Sequence, residues 1–142
     1  AKLTVSTPRL GIPAEYGLSW LLPRLVGTGH AADLLLSSRV ILGPEAASMG
    51  LANRSLPSED VLPAAIGWAQ AVATELSPSA VATAKAQLYA DLHRDLGASV
   101  TAAEDLMTTA IASDDYRVGV AAWATRSTPD FADATPGPGP HV

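Results

Sequence analysis

The spacing of apolar residues predicts that the second half of the chain is helical. From residue 58 onward, Leu, Ile, Val and Ala recur three and four positions apart, which places them on one face of successive helices. Ser58, Ser77 and Ser113 are typical N-cap residues. We therefore predict four consecutive helices, over residues 58–76, from residue 78 to about 92, over 100–112, and from 114 to about 126. Leu96 and Gly97 are predicted to form a turn between the second and third.

The first part of the chain mixes strand and helix patterns. Short alternating segments predict strands, and apolar faces at helical spacing predict helices. The predicted elements in order are a strand (2–5), two helices (16–26 and 30–38), a strand (39–42), a helix (43–50) and a short extended segment (51–56). Pro23 is expected to kink or break the first helix. The few strands favour the edge of a larger α/β body over a complete sheet.

Changes in composition divide the chain into three predicted parts. Residues 1–56 carry the mixed pattern, residues 57–131 carry the four helices, and residues 132–142 are rich in Pro and Gly. A segment of that composition cannot bury enough apolar surface to fold, so we expect a disordered tail.

Charge and Cys content exclude several classes of function. The net charge is −5 and the nine basic residues are scattered, which argues against a nucleic-acid surface. There is no Cys, which excludes disulfides and thiol nucleophiles and fits a cytoplasmic location. No apolar run approaches the length of about 18 residues that a membrane span needs. His30, His93 and His141 share no metal-ligand spacing, so no metal site is predicted.

Glu15 is the leading candidate for chemistry. It lies between Pro13 and Gly17, directly before an apolar helix, where the positive end of the helix dipole favours a carboxylate. One interpretation is a general acid/base that faces a cleft. The other is a first-turn Glu that only stabilises the helix.

Several motifs along the chain resemble the enoyl-CoA hydratase/isomerase (crotonase) family. Residues 10–27, LGIPAEYGLSWLLPRLVG, are similar to the segment that closes the active site of that family. Residues 32–40 and 43–54 are similar to its "E-L-L-L-T-G-R" and "A-E-E-A-x-x-x-G-L-V-N-x" units. The resemblance ends with Gly119–Trp123, Arg126, Pro129 and Phe131, where Val118 and Ser127 depart from the pattern. The motifs occur in the family's order at closely similar spacing.

The resemblance implies a fold. An α-rich chain of this kind is similar to the C-terminal part of the α/β crotonase fold, a spiral of ββα repeats followed by a helical oligomerisation region. Residues 1–56 would be the end of the core and residues 57–131 the C-terminal helices. The family forms trimers, commonly paired into hexamers. The expected partner is therefore another copy of the chain, or a chain that supplies the missing N-terminal half.

The resemblance also implies an activity on acyl-CoA thioesters, as an enoyl-CoA hydratase or isomerase of fatty acid metabolism. No separate cofactor is expected, because coenzyme A belongs to the substrate. The family's second catalytic Glu would fall near Thr7, so Glu15 is the only acid carried over. Both oxyanion-hole N–H donors would precede Ala1, and each is worth about 10²–10³ in rate. The isolated chain is thus expected to be nearly inactive.

Two residues near the end of the last helix correspond to the family's CoA-binding positions. Trp123 matches an aromatic residue and Arg126 a basic residue that face the adenine and phosphates of CoA. Their i, i+3 spacing predicts one common helix face. The alternative is a buried Trp beside an Arg that ends the helix. Arg24 and Lys85 are also basic, and a solvated helix face is the favoured interpretation for both.

Two other functions remain open at the level of sequence. The chain could be a catalytically inactive half-length protein that associates with a partner subunit. It could also be a plain helical interaction module. A monomeric module would leave the apolar face of the missing half exposed, which argues against it.

Overall fold

A computed structural model of the chain describes residues 1–132. The predicted tail, residues 132–142, lies outside the described residues except for its first position. The chain forms two compact units, one over Ala1–Pro63 and a second that starts at Ala64. The helices and strands are β1 (Lys2–Leu3), α1 (Leu18–Ser37), β2 (Ile41–Leu42), α2 (Gly43–Ser48), α3 (Ser58–Glu75), α4 (Pro78–Ala90), α5 (Leu96–Ile111) and α6 (Asp114–Thr125), with 3-10 turns at Thr7–Leu10 and Asp91–His93.

The sheet of the first unit is smaller than the sequence predicts. β1 and β2 pair antiparallel, with Lys2 opposite Leu42 and Leu3 opposite Ile41. The predicted extended segment 51–56 contains bends and no strand. Its first two N–H groups, on Leu51 and Ala52, donate to the carbonyl of Ala46 at 2.9 and 3.1 Å. The segment therefore wraps around the end of α2, and these N–H groups are not available for a strand ladder.

The break in α1 falls at Gly27 and not at Pro23. Gly27 has φ 77° and ψ 160°, whereas Pro23 stays within a helical stretch. Only Gly reaches that combination of angles at little cost, so the chain turns there. The two helices predicted on either side of Gly27 are thus confirmed, and the helix does not break at Pro23.

The hydrophobic core of the first unit comes from α1, β2 and α2. Its buried side chains are those of Leu22, Val26, Ala31, Leu34, Ile41, Ala46 and Met49. At its surface, Arg39 pairs with Asp33 through Nε (2.6 Å) and with Glu45 through Nη2 (2.6 Å). The Arg39 guanidinium lowers the pKa of the Glu45 carboxyl below its usual value, chiefly through this hydrogen bond.

The helices after residue 76 begin where polar side chains cap them. The Ser77 hydroxyl accepts from the Ala80 N–H at 3.0 Å, and the Ser113 hydroxyl accepts from the Tyr116 N–H at 3.2 Å. Both helix starts agree with the sequence. The predicted turn at Leu96 and Gly97 is wrong, because the Asp95 carboxylate accepts from the Ala98 N–H at 2.8 Å and starts α5 at Leu96.

These helices bury very little. Among their described residues, α3, α4 and α5 contain no buried side chain, and α6 contains only Ala122. Apolar residues that the sequence places on one face of these helices, such as Leu62, Ile66 and Leu88, stay exposed in this chain. None of the helices within residues 1–132 is long and apolar enough to cross a membrane.

Candidate active site

Glu15 lies in a short, hydrogen-bonded connection that leads into α1. The connection starts with the 3-10 turn Thr7–Leu10, which Gly11 ends in a left-handed conformation (φ 73°). The N–H of Gly11 donates to the carbonyl of Pro8 at 3.2 Å, and the N–H of Ile12 donates to the carbonyl of Thr7 at 3.1 Å. These bonds fold the backbone on the N-terminal side of Glu15.

The helix begins later than the sequence predicts. Tyr16 (φ 53°) and Gly17 (φ 71°) are both left-handed, so α1 starts at Leu18 and not at residue 16. The Glu15 carbonyl accepts from the Leu18 N–H at 3.0 Å. Glu15 therefore precedes the helix, and the first turn of α1 contains no acidic residue. The interpretation of Glu15 as a first-turn helix stabiliser is wrong.

The Glu15 carboxylate is available to a ligand. The residue is exposed, and no other side chain or backbone group within residues 1–132 pairs with its carboxylate. A carboxylate already held by Arg or by several N–H groups has its oxygens occupied and is a weaker base. Glu15 has no such partner here, which is what a group that exchanges protons with a substrate requires.

Thr7 lies where the resemblance leads one to expect a second carboxylate. It is the first residue of the 3-10 turn, and its Oγ1 is buried without a hydrogen-bond partner in the described residues. A hydroxyl donates or accepts hydrogen bonds but does not act as a carboxylate base. The described loop thus offers one carboxylate, Glu15.

Arg24 is held against an aromatic ring. Its guanidinium carbon lies 3.7 Å from the centroid of the Trp20 ring, and its Nη1 donates to the Trp20 carbonyl at 2.9 Å. Arg24 is thus not simply the solvated basic residue that the sequence predicts. The i, i+4 spacing of Trp20 and Arg24 was the signal that predicts this cation–π pair.

Arg126 lies just beyond the end of the helix that contains Trp123. Trp123 lies within α6 and is 88% exposed, so the alternative of a buried Trp is wrong for this chain. Arg126 caps the C-terminus of α6 in a left-handed conformation (φ 54°). Because Arg126 is outside the helix, the i, i+3 relation does not fix the direction of its side chain relative to Trp123.

Trp123 lines a groove of about 880 Å³ in the second unit. Its apolar wall includes Leu106, Met107, Val120, Trp123 and Phe131. Its polar end is Asp115, whose Oδ2 accepts from the hydroxyls of Ser77 (2.5 Å) and Ser79 (2.6 Å). These two bonds, Ser77 first, lower the pKa of Asp115. Because the hydroxyls of Ser77 and Ser79 both donate to Asp115, the polar end of the groove mainly joins the start of α4 to the start of α6.

Neither a metal nor a nucleophile site is evident in the part of the chain that the structure describes. No group of three or more His, Asp or Glu side chains is arranged to hold a metal ion in residues 1–132. A second cavity, of about 430 Å³, is lined by residues such as Leu42, Pro44 and Leu56 and by no ionisable side chain. Glu15 lines neither this cavity nor the groove beside Trp123.

Comparison with known proteins identifies the fold and the family. A family model described as enoyl-CoA hydratase/isomerase matches residues 1–134. A probable enoyl-CoA hydratase of Mycobacterium bovis is 30% identical over 123 residues, which cover 87% of this chain and 48% of that protein. A crotonyl-CoA hydratase of Syntrophomonas wolfei is 30% identical over 122 residues, 86% of this chain and 46% of that protein.

A solved structure agrees closely in fold. A probable enoyl-CoA hydratase/isomerase of Mycobacterium abscessus superposes with a TM-score of 0.89 at 29% identity, over 94% of this chain and 55% of that one. This chain spans about half the length of the relatives that it matches. It is an α-rich part of the crotonase fold, as the sequence predicts. With its family model matched along nearly its whole length, the chain belongs to the enoyl-CoA hydratase/isomerase family.

Proposed function

We propose that this chain is the C-terminal part of a cytoplasmic enzyme that acts on acyl-CoA thioesters, as an enoyl-CoA hydratase or isomerase, with Glu15 as its general acid/base. The observation that supports this most directly is the state of Glu15. Two left-handed residues hold it outside α1, and its carboxylate has no partner within residues 1–132. Family membership supports the substrate class.

The proposed role of Glu15 is proton transfer at an acyl carbon near the thioester carbonyl. In an isomerase, a carboxylate removes a proton from one carbon of the acyl chain and returns it to another. In a hydratase, it exchanges a proton with water during addition to the double bond. Either reaction passes through charge on the thioester oxygen, which needs preorganised N–H donors. By resemblance, those donors belong to the half of the family's fold that these 142 residues do not cover.

The test is turnover of an enoyl-CoA by the natural protein that contains this chain, purified with any subunit that accompanies it. Glu15→Gln keeps the size of the side chain and removes its basicity, so we expect kcat to fall by about 10²–10⁴-fold. Glu104→Gln, at an exposed position of α5, is the matched control and should leave kcat unchanged. Full turnover by Glu15→Gln would exclude the proposed role.

The second candidate function is a catalytically inactive half-length chain that associates with a partner subunit. It is supported by the exposed apolar helices and by Thr7 at the position of an expected catalytic Glu. Binding of acyl-CoA without any turnover, in both the wild type and Glu15→Gln, would favour this function.

We infer that Trp123 and Arg126 contact CoA. An indole that is 88% exposed is available to stack on an adenine ring, and Arg126 supplies a cation within three residues of it. Trp123→Ala is expected to weaken CoA binding about tenfold, measured by isothermal titration calorimetry. Trp68→Ala, which removes another exposed indole on α3, should leave the affinity unchanged. Equal affinity for all three proteins would remove Trp123 from the site.

We also infer that the helical region is covered in an assembly, by a second copy or by a chain that supplies the rest of the fold. Large apolar side chains such as Leu62, Leu88 and Leu96 are exposed on α3, α4 and α5. Surfaces of this kind are typical of contact sites. Sedimentation velocity over a range of concentrations should show trimers or larger species. A monomer at every concentration would contradict the inference.

A further inference from the structure

Tyr16 has a backbone conformation that its place in the chain does not explain. Among the described residues, the non-glycine residues with positive φ are Tyr16 (53°), Ser38 (50°) and Arg126 (54°). Ser38 and Arg126 cap the C-termini of α1 and α6, where a left-handed residue commonly ends a helix. Tyr16 precedes a helix, so no capping motif calls for a left-handed residue there.

This conformation is unfavourable for Tyr. A left-handed backbone brings the Cβ atom of an L-residue close to its own carbonyl oxygen, and only Gly, Asn and Asp adopt it readily. Strained backbone of this kind persists where the surrounding structure enforces it, and it is concentrated at ligand-binding and catalytic sites. The hydrogen-bonded turn before Glu15 and the start of α1 after Gly17 are the elements that enforce it here.

The Tyr16 side chain does not offset this strain within the chain. The residue is 92% exposed, more than any other large apolar or aromatic residue among those described. Its ring therefore packs against almost nothing within residues 1–132. The position combines an unfavourable backbone with an aromatic ring that adds no burial. A ligand that covers the ring would bury apolar surface that this chain leaves exposed.

Covalent geometry places that ligand near the acyl group of the substrate. Consecutive Cα atoms are about 3.8 Å apart, so the Tyr16 side chain starts next to that of Glu15. A general base must lie within hydrogen-bond reach of the proton that it moves. In the proposed reaction, that proton is on an acyl carbon or on the water that adds to the acyl double bond. The part of the substrate within reach of Tyr16 is therefore the acyl chain.

We propose that Tyr16 contacts the acyl chain of the substrate and determines which acyl chains are accepted. This inference rests on the proposed function of Glu15. The Tyr ring offers a flat apolar surface of low conformational entropy, suited to an aliphatic chain, and its hydroxyl extends beyond that surface. An aliphatic chain offers no hydrogen-bond partner to that hydroxyl, so the ring is the contact that sets selectivity.

The experiment compares kcat/KM for a short-chain and a medium-chain enoyl-CoA, using the natural protein that contains this chain. Tyr16→Asn and Tyr16→Gly both suit a left-handed backbone and remove the ring. We expect each variant to change the ratio of the two kcat/KM values by about tenfold. The change should arise mainly in KM, as is typical when apolar contacts in a pocket are lost. Tyr16→Phe should keep the wild-type preference, and Tm should not fall in any of the three.

Ser38→Gly is the matched control, because it relieves a left-handed residue that has no proposed part in binding. It should raise Tm and leave selectivity unchanged. If Tyr16→Asn and Tyr16→Gly have wild-type selectivity while Glu15→Gln is inactive, the inference on Tyr16 is overturned and the proposed function stands. If the wild type neither turns over nor binds any acyl-CoA by calorimetry, both are overturned.

Discussion

Both units of this chain contain well-formed helices, but the units differ in how many apolar side chains those helices bury. In the first unit, α1, β2 and α2 enclose a core that includes Leu22, Leu34 and Ile41. In the second unit, Ser77, Asp95 and Ser113 cap their helices with side-chain hydrogen bonds, yet only Ala122 is buried among its described residues. Local signals therefore suffice to start and end a helix, whereas its apolar face requires another element to pack against.

The difference has a physical basis in how helices are stabilised. Caps and favourable charges each contribute about 1 kcal/mol or less, whereas most helical stability in proteins comes from packing of an apolar face. The first unit returns on itself at Ser38, which brings β2 and α2 onto α1. Among its described residues, the second unit has no equivalent core, so we expect its stability to depend on the assembly.

The largest predicted difference in the free energy of unfolding is between a buried and an exposed Leu of the same helix. Leu34 is 2% exposed and Leu36 is 82% exposed, and both lie on α1. Leu34→Ala removes core contacts and should lower the free energy of unfolding by about 3 kcal/mol. Leu36→Ala should change it by less than about 0.5 kcal/mol. Urea unfolding followed by far-UV circular dichroism measures both, and equal effects would contradict the assignment of the core.

The caps of the second unit should have a smaller effect. Ser77 caps α4 and also donates to Asp115, so Ser77→Ala should cost about 1.5 kcal/mol. Ser79 donates to the same carboxylate without capping the helix, and Ser79→Ala should cost about 0.5 kcal/mol. Hydrogen exchange of the α4 amides reports both changes. A larger effect for Ser79→Ala would show that the link to Asp115, and not the cap, stabilises this helix.

Relief of backbone strain should stabilise the first unit slightly. Ser38 is left-handed and 2% exposed, and its hydroxyl has no partner in the described residues. Ser38→Gly removes both costs and should raise the free energy of unfolding by about 1 kcal/mol. Ser37→Gly, at the last helical position, should lower it, because the Ser37 hydroxyl accepts from the Arg39 N–H. A lower Tm for Ser38→Gly would contradict the prediction.

The smallest expected effect is the pH dependence that Asp115 gives to the second unit. Hydrogen bonds from Ser77 and Ser79 lower its pKa in the folded state. A carboxyl whose folded pKa is lowered stabilises the fold above its unfolded pKa, and that contribution is lost as pH falls through the folded value. Stability should therefore fall at acidic pH, and Asp115→Asn should flatten this dependence in acid titrations followed by hydrogen exchange of α4.

Glu45 gives the matched control in the first unit. Its pKa is lowered by Arg39, so the same loss of stability is expected at acidic pH for the amides of α2. Asp115→Asn should leave that loss unchanged. A variant that altered the acid response of both units would show that the two carboxylates do not act locally.

The sequence predicted most helices and their starts because those signals are local. The N-cap hydroxyls of Ser77 and Ser113 and the apolar spacing after residue 58 were sufficient for the helical region. The predicted turn at Leu96 was wrong because Asp95, an equally good cap, was not considered. The strands were overestimated because pairing depends on a distant partner, and only two residues of each strand find one.

The candidate site was only partly predictable for the same reason. Glu15 could be singled out from its neighbours and from the resemblance of its segment. That it precedes the helix, without a partner in the described chain, depends on the left-handed angles of Tyr16 and Gly17. A Tyr gives no sequence signal for that conformation, since its intrinsic preference is against it.

By itself, the sequence determined the family, the helical character of the chain and the residues that are candidates for chemistry. These follow from motif order, helical spacing and side-chain type, which are properties of neighbouring residues. Only the tertiary structure decided that the core lies in the first unit, that the described helices of the second unit stay exposed, and that Arg126 ends the helix that carries Trp123. Burial and side-chain direction depend on contacts between distant segments, which no local pattern specifies.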